Sequence, residues 1–130
     1  MPITVRVDTA AGVRYTAMSG DITGEQIVET FRPAIEARAP ETGMNGLVDM
    51  RDVRTLDVSS GAVWELTRML RAAEPPGIRR RVAIVASSDF VFGMARMFES
   101  LASSGGAATE YQVFRDIAEA RGWLGLEAER

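Results

Sequence analysis

The 130-residue chain has no cysteine and no histidine, and all 15 of its basic side chains are arginines. Without cysteine there are no disulfides, thiolate nucleophiles or thiolate metal sites. Without histidine and lysine, the Ser-His-Asp and Cys-His arrangements, Schiff-base chemistry and the phosphate-gripping lysine of a P-loop all fall away. A phosphate-accepting aspartate of the receiver type loses its neighbouring lysine in the same way. Arginine stays protonated and does not replace these groups as a proton shuttle. Only carboxylates, hydroxyls and guanidinium groups remain, so a protein that is not an enzyme, and that uses no cofactor, is expected. Long hydrophobic runs are missing as well, and so is a basic-then-apolar leader, which together point to a cytoplasmic protein with no membrane span. The net charge of −3 argues against nonspecific binding to nucleic acid, where many basic groups must neutralise phosphates.

What is present reads as a single domain over residues 1–130, with 46% hydrophobic and 25% charged side chains. Ile3, Val5 and Val7 alternate with Thr4, Arg6 and Asp8, and Val13, Tyr15 and Ala17 with Arg14 and Thr16. Around the turn Ala10-Ala11-Gly12 this is a half-buried hairpin. Thr23 and Gln26 form a capping-box pattern ahead of Ile27, Phe31 and Ile35, predicting a helix over 24–38 that Pro33 should kink. Gly46 to Met50 reads as a short strand, and Ala62, Leu66, Met69 and Ala73 as one face of a second helix, ended by Pro75-Pro76-Gly77.

Val82-Ala83-Ile84-Val85-Ala86 is apolar throughout, as a central strand covered on both faces requires. Asp89 is placed to cap a helix running to Ala102, Tyr111 to Phe114 forms a last strand, and Asp116 with Glu119 opens a helix carrying Ile117, Ala120, Trp123 and Leu124. The order β-β-α-β-α-β-α-β-α implies an α/β fold, with a mixed, mostly parallel sheet, an antiparallel N-terminal hairpin and helical cover.

Two strings carry a family resemblance. Met18-Ser19-Gly20-Asp21-Ile22-Thr23 resembles the strand-end "T-G-E-L-D" string of SpoIIAA-like domains, the fold of anti-sigma factor antagonists and STAS domains. Val48 to Gly61, "VDMRDVRTLDVSSG", resembles the strand and loop leading to that family's "D-S-S-G" helix start. The segments "VAIVASSDFVFGMARMF" and "VFRDIAEARGWLG" look like the bacterial STAS/SEC14-type subgroup. The resemblance implies a regulatory, protein-binding module with a loop at Asp57, Val58 and Gly61 facing a partner. It further implies that Ser59 or Ser60 is the serine phosphorylated by a partner kinase of the anti-sigma type. Read from the residues alone, a serine at this position is a helix N-cap, and a phosphate there would also be favoured by the free amides and dipole of the helix start.

Asp21, Asp49, Asp52 and Asp57 lie near expected strand-to-helix connections, where open α/β sheets place ligands, and they carry oxygens of the kind magnesium takes. Their spacing matches no metal motif, and loop capping and pairing with Arg51 and Arg54 is expected, with no metal. Arg79-Arg80-Arg81 lacks interleaved aromatics and reads as the solvated start of a strand. On the third helix, Val91, Met94, Ala95, Phe98, Leu101 and Ala102 suffice to face a sheet. Phe90, Phe92 and Met97 add large apolar groups on other sides. Core burial, a homodimer surface, or a pocket for an apolar, lipid-like ligand formed by Phe90, Phe92, Met94 and Met97 would each account for this surplus.

Overall fold

The computed structural model describes residues 2–103 and 107–126. The opening hairpin pairs β1 (Ile3–Asp8) antiparallel with β2 (Val13–Thr23), with Ile3 opposite Met18 and Asp8 opposite Val13. In its turn the Asp8 carboxylate accepts from the Ala11 amide at 3.1 Å. Then come α1 (Gly24–Glu36), a 3₁₀ turn (Pro40–Gly43), β3 (Asn45–Asp57), α2 (Ser60–Ala72), β4 (Arg80–Val85), α3 (Asp89–Ser103), β5 (Thr109–Phe114) and α4 (Ile117–Trp123). The strands lie in the order β1-β2-β3-β4-β5, and every pair after the hairpin is parallel. The fold is the expected α/β arrangement. Among the described residues no helix is long and apolar enough to cross a membrane.

Two cores sit on the two faces of the sheet. Beneath α1, α2 and α3, Met18, Ile22, Met50, Leu56, Val82 and Ile84 of the strands meet Ile27, Val91 and Ala95 of the helices. On the opposite face α4 covers Val13, Leu47, Ala83 and Val85 with Ala120 and Leu124. The run from Val82 to Ala86 is apolar throughout because β4 lies inside the sheet and alternate side chains enter alternate cores. The hairpin is present, but alternation does not give its inner faces: in β2 Thr16 is buried and Arg14 half-buried under α1 instead of facing water, while on the edge strand β1 Val5 and Val7 are exposed.

β3 runs seven residues past the expected end at Met50, and its pairing with β2 explains why alternation does not reveal it. Ala17 pairs with Asp49 and Ser19 with Asp52, then Gly20 with Val53 and Asp21 with Thr55, so β3 gains one residue at each of two bulges. Each extra residue flips which side of β3 faces inward. Met50, Val53 and Leu56 therefore all point into the core at a spacing of three, a pattern that belongs to neither a regular strand nor a helix. Gly20 opposes the bulged stretch with φ of +73°, a backbone conformation that side chains with a Cβ resist.

Helix boundaries differ in small ways. α1 passes through Pro33 and ends at Glu36, where Arg38 with φ of 51° turns the chain away while the Arg38 and Ala39 amides reach back to the Ile35 and Ala34 carbonyls. At the start of α3 it is Ser88 that caps, its hydroxyl accepting from the Val91 amide at 3.2 Å, whereas Asp89 is the first helical residue and pairs with Arg115 at 2.9 Å.

The starts of α1 and α2 touch. A Cβ built on Gly24 would meet the Ala62 Cβ at 2.8 Å and a Val58 methyl at 3.3 Å. Gly24→Ala is therefore expected to lower stability by about 1–2 kcal/mol in urea denaturation, the overpacking outweighing the gain in helix propensity.

Candidate functional site

Thr23 and Asp57 are paired at the end of the β2–β3 ribbon, so the two helices that follow begin side by side. Thr23 caps α1 with the full capping box: its hydroxyl accepts from the Gln26 amide at 3.2 Å, and the Gln26 side chain accepts from the Thr23 amide at 2.8 Å. Ser59 caps α2 with extended backbone (φ −73°, ψ 158°) and a hydroxyl that accepts from the Ala62 amide at 3.1 Å. Ser59, Ser60, Gly61 and Asp57 are all exposed. Val58 instead turns inward, packing on the core and against Gly24.

The two strings that carry the family resemblance lie next to each other in space. Asp21 of the first accepts from Arg54 of the second at its Nε (3.1 Å) and Nη2 (2.6 Å), and from the Thr55 hydroxyl at 2.8 Å. The Arg54 and Thr55 bonds hold the Asp21 carboxyl below the ordinary aspartate range. Asp49 takes three bonds from Arg51, to the amide and two guanidinium nitrogens, at 2.8–3.0 Å. Burial pushes the Asp49 carboxyl up, but these bonds outweigh it and leave it below the usual range. Both aspartates thus pair with the arginines expected. Asp52 and Asp57 are exposed, and no cluster of acidic side chains able to hold a metal ion occurs among the described residues.

Arg80 and Arg81 project to opposite faces of β4. Arg80 bonds the Thr109 hydroxyl at 3.1 Å, and Arg81 lies 5.0 Å over the Trp123 ring while bonding its carbonyl at 3.0 Å. Being split between two faces and engaged with the protein itself, they form no continuous basic strip.

The third-helix set is also divided. Met94 lines a cavity beneath the helices, and Phe92 rests against the core with the Arg115 guanidinium 4.2 Å above its ring. Phe90 is 63% exposed and Met97 41%. A further aromatic joins them: Trp64 of α2 is 60% exposed. Trp64 precedes by seven residues, two helical turns, Arg71, whose guanidinium bonds the Ala102 carbonyl of α3 at 3.2 Å. Phe90 and Met97 flank Met94, which shares its cavity with Leu66 and Leu70 of α2. Trp64, Phe90 and Met97 therefore border the same seam between α2 and α3, with Trp64 and Phe90 towards the helix starts and Met97 midway along α3. Trp64 escapes a search for apolar stripes because it lies off the Ala62-Leu66-Met69-Ala73 face.

Because Ser59 satisfies an amide of the first turn, Ser59→Ala should cost about 1 kcal/mol in urea denaturation and Ser59→Gly only a few tenths. Ser60→Ala, already inside the helix, should leave the midpoint unchanged.

The SpoIIAA-like family profile matches residues 13–125. No curated protein matches the chain. Among solved structures, it is similar to an uncharacterised protein of the DUF3478 family with a SpoIIAA-like fold from Shewanella loihica PV-4. That protein is 21% identical, with 94% of this chain and 91% of that one covered and a TM-score of 0.56. That likeness supports the fold, and the profile spans both strings paired through Asp21 and the serine-capped start of α2: the chain belongs to the SpoIIAA-like family.

Proposed function

We propose that the chain is a non-enzymatic regulatory module that acts in the cytoplasm, presents the start of α2 and its seam with α3 to a protein partner, and is switched by phosphorylation of Ser59. The observation that carries this reading is Trp64, an indole 60% exposed five residues after the exposed cap Ser59. Large aromatics anchor protein interfaces through their area and low flexibility. A phosphate on Ser59 would keep its oxygens near the free amides of α2 while adding close to two negative charges beside that indole. A partner kinase of the anti-sigma type, as the family implies, would supply the modification. We further propose that a second copy of the chain uses the same seam, where Phe90 and Met97 add apolar surface.

A photo-crosslinking amino acid in place of Trp64 should, in cells, give a discrete adduct with another protein. Its yield should drop several-fold when Ser59→Asp is added. Adducts that match those from the same probe at Glu119 on α4, or that ignore Ser59→Asp, would overturn the partner surface. For self-association, light scattering should show a dimer that Phe90→Glu converts to monomer, with thermal stability nearly unchanged because Phe90 lies mostly in water. Phe92→Glu is a poorer probe, since Phe92 also supports the core and carries Arg115. A parent protein that is monomeric at high concentration would remove the dimer.

A further inference from the structure

Between the sheet and helices α1–α3 lies a cavity of about 140 Å³. Its walls are apolar, with Ile27, Val48, Leu66, Leu70, Val82 and Met94 among them. At the end of the cavity where β2 and β4 begin stand two guanidinium groups, Arg14 and Arg80, with the Tyr111 ring beside them. Arg80 is engaged, donating to the Thr109 hydroxyl at 3.1 Å and to the Met44 carbonyl at 3.4 Å. Arg14 is not. Its Nε is buried with no hydrogen-bond partner, its guanidinium lies 4.5 Å over the Phe31 ring, and no ion pair joins it to a carboxylate among the described residues.

An arginine has no chemical escape from this position. Arg14 is half-buried and its terminal nitrogens are not cut off from solvent, but where a buried lysine could shed its proton a guanidinium keeps its charge, and the shielded Nε–H is left without an acceptor. Burial lowers the Arg14 pKa and the neighbouring Arg80 charge lowers it further, while Glu41 acts in the opposite sense. The ring of Phe31 offers only its face to the cation and no lone pair for the Nε hydrogen.

We propose that this cavity binds a small apolar molecule ending in a carboxylate, with the carboxylate on Arg14 and the apolar body among Val48, Leu70, Val82 and Met94. Size sets the class: a comparable apolar cavity of about 150 Å³ takes benzene, so a short-chain fatty acid or an aryl carboxylate fits and a full-length lipid does not. Carboxylate is the matching anion because it accepts from guanidinium nitrogens in one plane, whereas a neutral hydroxyl brings no charge to Arg14. This site lies beneath the α2–α3 seam and shares Leu70 and Met94 with those helices, but it rests on Arg14 and the cavity and does not depend on the partner-binding reading.

The test uses hexanoate and benzoate against 1-hexanol and benzyl alcohol at pH 7, followed by NMR of the intact protein. The carboxylates should shift both the Arg14 Nε–H resonance and the methyls of Leu70 and Val82, and should bind about tenfold or more tightly than the alcohols. Arg14→Met, which keeps an apolar stem of similar length, should abolish that preference while leaving weak binding of the alcohols. Should this variant not fold, the Arg14 Nε–H shift in the unmodified protein decides alone. Equal affinity for acids and alcohols would overturn the proposal. So would carboxylates that leave Arg14 and the cavity methyls unshifted.

Discussion

The placement of the paired starts of α1 and α2 depends on the parallel pairing of residues 17–23 with residues 49–57. That ribbon extends past the part of β3 paired to β4, which ends at Asp49 opposite Val85. Beyond that point β3 has no strand on its other side among the described residues, and the ribbon is held by β2–β3 hydrogen bonds, by the Asp21 clip to Arg54 and Thr55, and by Ile22, Val53 and Leu56 packed beneath. The two bulges make the last contribution possible. Without them the parity of β3 would send Val53 into water, and the tip of the ribbon would lose an apolar anchor.

The ribbon ends in two caps, and the caps set the geometry of the surface. Thr23 and Asp57 are register partners, so α1 and α2 start at the same height, and Gly24 lets Ala62 approach closely. The serine that caps α2 is thereby fixed at an exposed corner, with Trp64 on the next turn. A capping hydroxyl contributes modest stability, but a cap also specifies where a helix begins, and here it fixes which side chains of α2 meet solvent. Val58 turns into the core between Asp57 and Ser59, so only part of the loop is available to another molecule.

The restriction of basic charge to arginine has a visible consequence in packing. Among the described residues, four guanidinium groups lie over aromatic rings: Arg6 over Tyr15, Arg14 over Phe31, Arg81 over Trp123 and Arg115 over Phe92, at 4.2–5.0 Å. A planar, weakly hydrated cation does this better than an ammonium, which holds its water more tightly. On Phe92 and Trp123 the arrangement shields apolar surface with a charged group. On Phe31 it draws the guanidinium of Arg14 beneath α1, where its Nε is shielded from water beside the cavity.

The sequence by itself determined the number, type and order of the elements, because hydrophobic spacing, capping pairs and the five-residue apolar run of β4 are local signals that neighbouring residues do not override. The Thr23–Gln26 box and the Asp116 cap act within one turn of chain and are present as read. Tertiary structure alone decided the rest, since each remaining feature depends on residues far apart in the chain. The length of β3 follows from bulges defined only against β2, and the inward turn of Arg14 and Thr16 from the placement of α1. The exposed seam of Trp64 and Phe90 arises in the same way: each lies on a helix whose apolar face is already filled, and only the packing of α2 beside α3 sets them along one edge.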